Sequence, residues 1–92
     1  MIEDKIKIID IGNLPNTSSK ILDIGLVFDD STCILEKMEG IIEYPNNIKT
    51  KIPTEDGSIV FYIKDSNKLA IVTKKDESLA TGKVILYYKE VK

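Results

Sequence analysis

The chain has 92 residues, with 15 acidic residues, 13 lysines, no arginine and a net charge of −2. A mildly acidic chain without arginine lacks the basic footprint of nucleic-acid-binding proteins, so we expect no nucleic-acid partner. The length predicts one domain, residues 1–92, with a thin core that self-association would help to stabilise.

The single cysteine and the amino-terminal sequence indicate the cellular compartment in which the chain is made. Cys33 cannot form an intrachain disulfide, and a free thiol is typical of a reducing compartment. The start, MIEDKIKI, is too charged for a signal peptide, and no segment approaches the about 20 apolar residues of a membrane-spanning helix. We therefore expect synthesis in the cytoplasm and no membrane span.

Apolar segments alternate with polar turns along the whole chain. Their richness in Ile, Val, Tyr and Phe favours strands over helices. In order they read KIKIIDI, KILDIGLVF, CILEKMEGIIEY, SIVFYIK, KLAIVTK and KVILYYKEV. The breaks contain Pro, Asn, Asp and Gly, which fix or permit the backbone angles of turns. Residues 9–25 are accordingly interpreted as a strand, a Pro-Asn turn and a second strand.

Residues 33–42 are ambiguous. Five apolar positions match helical spacing, namely Ile34, Leu35, Met38, Ile41 and Ile42. In a strand, one face would instead carry Ile34, Met38, Ile42 and Tyr44. Gly40 costs a helix about 1 kcal/mol, which favours the strand. A short helix stays the alternative.

The C-terminal half predicts strands that are apolar on both faces. Residues 61–64 and 69–72 flank a short turn at 65–68, which indicates a hairpin. The two faces carry Ile59, Phe61 and Ile63 against Val60 and Tyr62, and Val84, Leu86 and Tyr88 against Ile85 and Tyr87. Such strands need cover on two sides, from a second sheet and from a neighbouring subunit. We expect Phe61 and Tyr88 in the core, and Tyr62 and Tyr87 at exposed tips or interfaces.

No motif in the chain indicates catalysis. The absence of histidine removes the commonest general base and metal ligand. The adjacent acidic pairs at 3–4, 29–30, 55–56 and 76–77 are interpreted as solvated turn acids, since adjacency does not face two carboxylates across a bond. Gly12 and Gly25 are too far apart for a phosphate loop, and Cys33 is interpreted as a structural thiol. We expect no enzyme, no cofactor and no metal site.

Several short motifs occur in a recognisable order. They are IDIGNLPNTSSK at 9–20, EGI at 39–41, KIP at 51–53, IVFYI at 59–63, NKLAIVT at 67–73, DES at 76–78 and TGKVILYYK at 81–89. Together they resemble a small β-structured domain of tail-fibre, receptor-binding and other structural proteins of phages and prophages of Gram-positive bacteria. The chain departs from that family at residues 23–26, where the family often has a histidine, and at Glu77, where it has an arginine.

Strand patterning and the resemblance imply an all-β fold, an antiparallel β-sandwich or jelly-roll-like domain of about 6–8 short strands. The resemblance implies a non-enzymatic tail-fibre or receptor-binding knob, made in the bacterial cytoplasm and placed in the virion tail. It also implies a homo-oligomer, commonly a trimer, that contacts a bacterial cell-surface glycan or protein receptor. The alternative is a small intracellular phage- or bacterium-encoded protein that binds and inhibits a host protein through a sheet edge or an acidic face.

Candidate contact residues lie mainly in loops, because loops on a rigid sheet tend to carry binding residues. The candidate loops span 13–19, 46–51 and 76–81. The two tyrosines expected at interfaces complete the set. The predicted binding residues are Asn13, Asn16, Thr17, Ser18, Ser19, Asn46, Asn47, Tyr62 and Tyr87.

Overall fold

A computed structural model describes residues 2–52, 54 and 57–91 of the chain. These residues form seven strands and no helix, which confirms the all-β prediction. The strands are β1 (Ile2–Asn13), β2 (Ser19–Asp23), β3 (Cys33–Glu43), β4 (Lys49–Lys51), β5 (Ile59–Lys64), β6 (Lys68–Thr73) and β7 (Thr81–Val91). In the described part of the chain there is consequently no helix that could cross a membrane.

The strands form two antiparallel sheets that pack as a small β-sandwich. One sheet has four strands in the order β1-β7-β3-β4, and the other has three in the order β2-β6-β5. The predicted hairpin is β5–β6, in which Lys64 pairs with Lys68. Its turn is tight because Asp65 and Ser66 both adopt positive φ, 53° and 66°.

The core lies between the facing sheets, as alternation along the strands predicts. Its buried members are Ile11, Leu14, Ile24, Ile42, Ile59, Phe61, Leu69, Ile71, Ala80, Val84 and Leu86. Phe61 and Tyr88 are buried, whereas Val60 and Tyr62 are exposed, so the predicted faces of β5 are confirmed. Three core residues, Leu14, Ile24 and Ala80, come from loops, which closes both ends of the sandwich.

Gly40 lets the two sheets approach closely. A Cβ atom at this position would lie 2.7 Å from both the Phe61 ring and the Ile52 side chain. Because real Cβ contacts are longer, the Phe61 ring of one sheet packs directly on bare backbone of the other. The glycine that disfavoured a helix in the sequence therefore has a packing role in β3.

Three expectations from the sequence are wrong in detail. The helix alternative for 33–42 fails, since these residues belong to β3. Ile34 does not share a face with Met38 and Ile42, because a bulge between Leu35 and Lys37 shifts the register and turns Ile34 outward opposite Lys89. The second apolar segment ends its strand at residue 23 and continues as a loop. In addition, β1, β3 and β7 are longer than the short strands expected.

We expect Gly40→Ala to destabilise the fold by about 1 to 3 kcal/mol, the range for inserting a methyl group into a packed core. Gly82→Ala is the matched control, because its Cβ would lie 3.2 Å from the nearest atom, a terminal methyl carbon of Leu14, which needs to move by only a few tenths of an ångström. Urea unfolding monitored by circular dichroism measures both variants. Equal losses of stability in the two variants would show that the close Gly40–Phe61 contact matters no more for stability than the packing around Gly82.

Candidate functional site

Three loops meet at one end of the sandwich and form a continuous surface, here called the loop cluster. The loops link β1 to β2, β3 to β4 and β6 to β7. They comprise residues 13–18, 44–48 and 74–80. Backbone hydrogen bonds join the first and third loops: Thr17 N–H donates to the Lys75 carbonyl (3.1 Å) and Leu14 N–H to the Ala80 carbonyl (3.0 Å). The Asn13 side-chain amide adds a bond to the Ser78 carbonyl (2.9 Å).

A buried threonine anchors the first loop from below. The Thr73 hydroxyl, at the end of β6, donates to the Pro15 carbonyl (2.9 Å). Its oxygen accepts from the Ser18 N–H at 3.4 Å. Buried hydroxyls bonded in this way hold backbone in place, because leaving the partners unsatisfied costs about 1–3 kcal/mol.

Glu77 ties the third loop to the turn between β3 and β4. Its side chain is buried, at 6 % exposure, and its Oε2 atom accepts a hydrogen bond from the Tyr44 hydroxyl at 3.3 Å. The interpretation of Glu77 as a solvated turn acid is therefore wrong. The Glu77 carbonyl also accepts a hydrogen bond from the Ala80 N–H, which closes the turn.

Asp76 fixes the tip of the third loop. Its Oδ1 atom accepts from the Ser78 hydroxyl at 2.6 Å and from the Ser78 N–H at 3.0 Å. These bonds, the hydroxyl first, lower the pKa of Asp76 from its ordinary value. Asp76 also pairs with Asn16 across an isolated antiparallel bridge. The loop tips are thus held by local hydrogen bonds.

The structure brings most of the predicted binding residues into this cluster. Six of the nine lie in its first and second loops and have exposed side chains: Asn13, Asn16, Thr17, Ser18, Asn46 and Asn47. Ser19 adjoins them as the first residue of β2. The other two are elsewhere, because Tyr62 and Tyr87 lie on the outer faces of different sheets. The second loop is shorter than predicted, since residues 49–51 form β4.

One surface residue of the cluster escaped the sequence analysis. Leu79 is 79 % exposed, beside a depression of about 230 Å³ that Tyr44 and Pro45 also line. An apolar residue directly after the polar run Asp76 to Ser78 was the available signal. The surface of the cluster therefore combines amides and hydroxyls with an exposed apolar side chain.

The opposite end of the sandwich holds a groove of about 720 Å³ beside the loop that follows β2. Cys33 in its wall is buried, and burial raises the pKa of its thiol, so it is a poor nucleophile.

Asp29 accepts bonds from the Ser31 and Thr32 N–H groups, which lower its pKa. It is an exposed turn acid as predicted. Within residues 2–52, 54 and 57–91, no three potential metal ligands of the Cys or carboxylate type gather. The acidic pair at 55–56 falls outside the described residues.

Both outer sheet faces carry exposed apolar side chains. On the three-stranded sheet, Ile21 of β2 and Tyr62 of β5 flank Ala70 of β6 and are 46 and 45 % exposed. Val60, two residues before Tyr62 on the same face of β5, is 41 % exposed. On the four-stranded sheet, Ile6 stands opposite Tyr87 and is 64 % exposed. Lys37 lies 5.5 Å from the centre of the Tyr87 ring and covers it in part.

Comparisons of the chain with protein-family models, curated protein sequences and solved structures find no match.

We expect Asp76→Asn to lower the melting temperature at pH 7. A lowered folded-state pKa means that the ionised carboxylate stabilises the fold above its ordinary pKa of about 4. That contribution is lost as pH falls through the lowered folded-state pKa, so the melting temperatures of variant and parent should converge in acid. Asp30→Asn, the same change at an exposed position, should have no effect at either pH. A constant difference from pH 7 to pH 2 would exclude the ionised bond.

Proposed function

We propose that the protein is a non-enzymatic structural domain of a phage or prophage, whose sandwich presents the loop cluster to a bacterial cell-surface receptor. One observation carries this proposal: three loops from separate strand connections are hydrogen-bonded into a single surface. Binding residues are commonly placed on loops held by a rigid scaffold. On this proposal the chain is made in the bacterial cytoplasm and then becomes part of the virion tail.

The chemistry of the cluster favours a glycan or a polar protein surface. Asn16, Asn46 and Thr17 are exposed, and amides and hydroxyls both donate and accept hydrogen bonds. Leu79 adds an apolar contact between the polar groups. The loops are also fixed before binding, through Thr73 and Glu77, which lowers the entropic cost of association.

Assembly into a homo-oligomer is part of this proposal. It is supported by the exposed apolar side chains on both outer faces, which a neighbouring copy would cover. Several linked copies would raise the apparent affinity for a surface that repeats its receptor. The trimer implied by the resemblance is one such assembly.

The alternative, an inhibitor of a host protein, is favoured by one specific feature. β1 is twelve residues long and lies at the end of its sheet, so one edge faces no other strand in the described residues. Exposed edges bind extended segments of partner proteins by adding a strand. Such an inhibitor would bind through β1 and not through the loop cluster.

We expect Leu79→Lys to reduce binding of labelled protein to intact Gram-positive cells by about tenfold, as for loss of a central interface contact. Flow cytometry over a concentration series measures the effect. Val27→Lys is the matched control, since Val27 is an exposed apolar residue that lines the groove at the opposite end. It should bind as the parent does.

Two results would contradict the receptor proposal. One is equal binding by both variants, which would remove the loop cluster from the contact. The other is no binding to cells together with specific retention of a cytosolic protein that β1 variants abolish, which would favour the inhibitor. Light scattering tests assembly separately, because a strict monomer at micromolar concentration would contradict the oligomer alone.

A further inference from the structure

The edge of β1 that faces away from β7 is open for pairing along only part of the strand. β1 pairs only with β7 among the described strands. Near its end, a bulge between Asp10 and Gly12 interrupts the strand. There Lys20 Nζ donates to the Ile11 carbonyl (2.7 Å) and the Asn13 carbonyl (3.3 Å). The segment left open for pairing, here called the free edge, is residues 2–9.

The free edge combines apolar and balanced charged side chains. Ile2, Ile6 and Ile8 are exposed, with 58, 64 and 64 % of their surface accessible. Between residues 2 and 8 there are two acids and two lysines, so the segment carries no net charge. The other edge strands are shorter, three residues in β4, five in β2 and six in β5. β1 is therefore the most extensive surface for strand addition.

We propose that two copies of the chain pair through this free edge, antiparallel, about a two-fold axis that passes beside Lys5. The pairing joins two four-stranded sheets into one continuous sheet. It rests on the self-association proposed above and adds a contact at the sheet edge to the contacts that the outer faces offer. It does not depend on the receptor.

Hydrogen bonding restricts the register. In an edge strand only alternate residues direct their N–H and C=O groups outward. Opposite residues in two identical copies must therefore both be odd-numbered or both even-numbered, so their numbers add up to an even sum. Only two such registers place at least six residues of the free edge, residues 2–9, opposite one another. In one of them the numbers of opposite residues add up to 10, and in the other they add up to 12. These registers are called the sum 10 and the sum 12.

Charge selects between these two registers. The sum 10 places Glu3 opposite the partner's Lys7, twice by symmetry, and Ile2 opposite the partner's Ile8. The sum 12 places Lys5 opposite the partner's Lys7, which repels. Lysines on an edge normally discourage pairing, but here Lys7, which has no ion pair among the described residues, gains one. The sum 10 also places Lys5 opposite the partner's Lys5, but this repulsion occurs once beside two attractive pairs, whereas the sum 12 gives two repulsive pairs and no attractive pair. Lys5 is bonded to Glu3 of its own copy at 3.0 Å.

Charge reversal tests the pairing. We expect Lys7→Glu or Glu3→Lys to raise the dimer dissociation constant at least about tenfold, because each turns two attractive pairs into repulsive ones. The double variant Glu3→Lys/Lys7→Glu should recover most of the affinity. Lys64→Glu on β5 makes the same charge change on the other sheet and should have no effect. Sedimentation equilibrium or light scattering over a concentration series gives the constants.

Single cysteines read the register directly. Under mild oxidation, Lys5→Cys should form a disulfide-linked dimer much faster than Asp4→Cys or Ile6→Cys. Residue 5 lies opposite residue 5 of the second copy in the register of sum 10. Residue 4 would lie opposite itself only at the sum 8, and residue 6 only at the sum 12. The parent chain is the control, because its only cysteine, Cys33, is buried and should not react.

Each outcome decides a different claim. A dimer that is insensitive to charge reversal and shows no preferential linkage at position 5 would overturn the β1 pairing and leave self-association intact. A stable trimer would also overturn it, since a two-fold contact of one surface with itself closes at two copies. A monomer at every concentration would remove the self-association on which the pairing rests, while binding to cells would still test the receptor.

Discussion

The sandwich depends on the contact between the Phe61 ring and the bare backbone of Gly40. This contact sets how closely the two sheets approach, because any side chain at Gly40 would occupy the space of the ring. A domain of this size has a single thin core, so the spacing of its sheets decides how much apolar surface is buried. Thr73 reaches the loop after β1 by a different route, because its strand, β6, pairs with β2, into which that loop leads. The loop cluster therefore depends on strand pairing within a sheet as well as on the core beneath it.

The seven strands form only two sheets, and these cannot bury all the apolar side chains of this sequence. Strands such as β5 and β7 are apolar on both faces, and the facing sheet covers only one of them. Val60 and Tyr62 consequently remain exposed on one side of the molecule, and Ile6 and Ile8 on the other. Exposed apolar strips on opposite sides give a small domain two surfaces on which further copies or partners can pack.

Local sequence patterns predicted the structural features that depend on neighbouring residues. They missed the features that depend on residues far apart in the chain. Alternation along β5 correctly placed Phe61 inside and Tyr62 outside, because a strand turns alternate side chains to opposite faces. Ile34 was misplaced because a bulge adds one residue to the strand, and apolar spacing carries no sign of it. Burial of Glu77 depends on the Tyr44 hydroxyl, 33 positions earlier in the chain. The three candidate loops were recognised singly, but their meeting follows from strand pairing that single segments do not reveal.

The free edge and the loop cluster occupy different parts of β1, which has a consequence for how the protein would act. Pairing involves residues 2–8, whereas the cluster begins at Asn13, beyond the bulge and the Lys20 bonds. A two-fold axis beside Lys5 reverses the direction of β1, so the two clusters of a dimer point in opposite directions. Such a dimer would bridge two partners and would not engage one surface twice. Clusters that all face one cell surface would need a second contact between copies, for which the outer face around Val60 and Tyr62 is available.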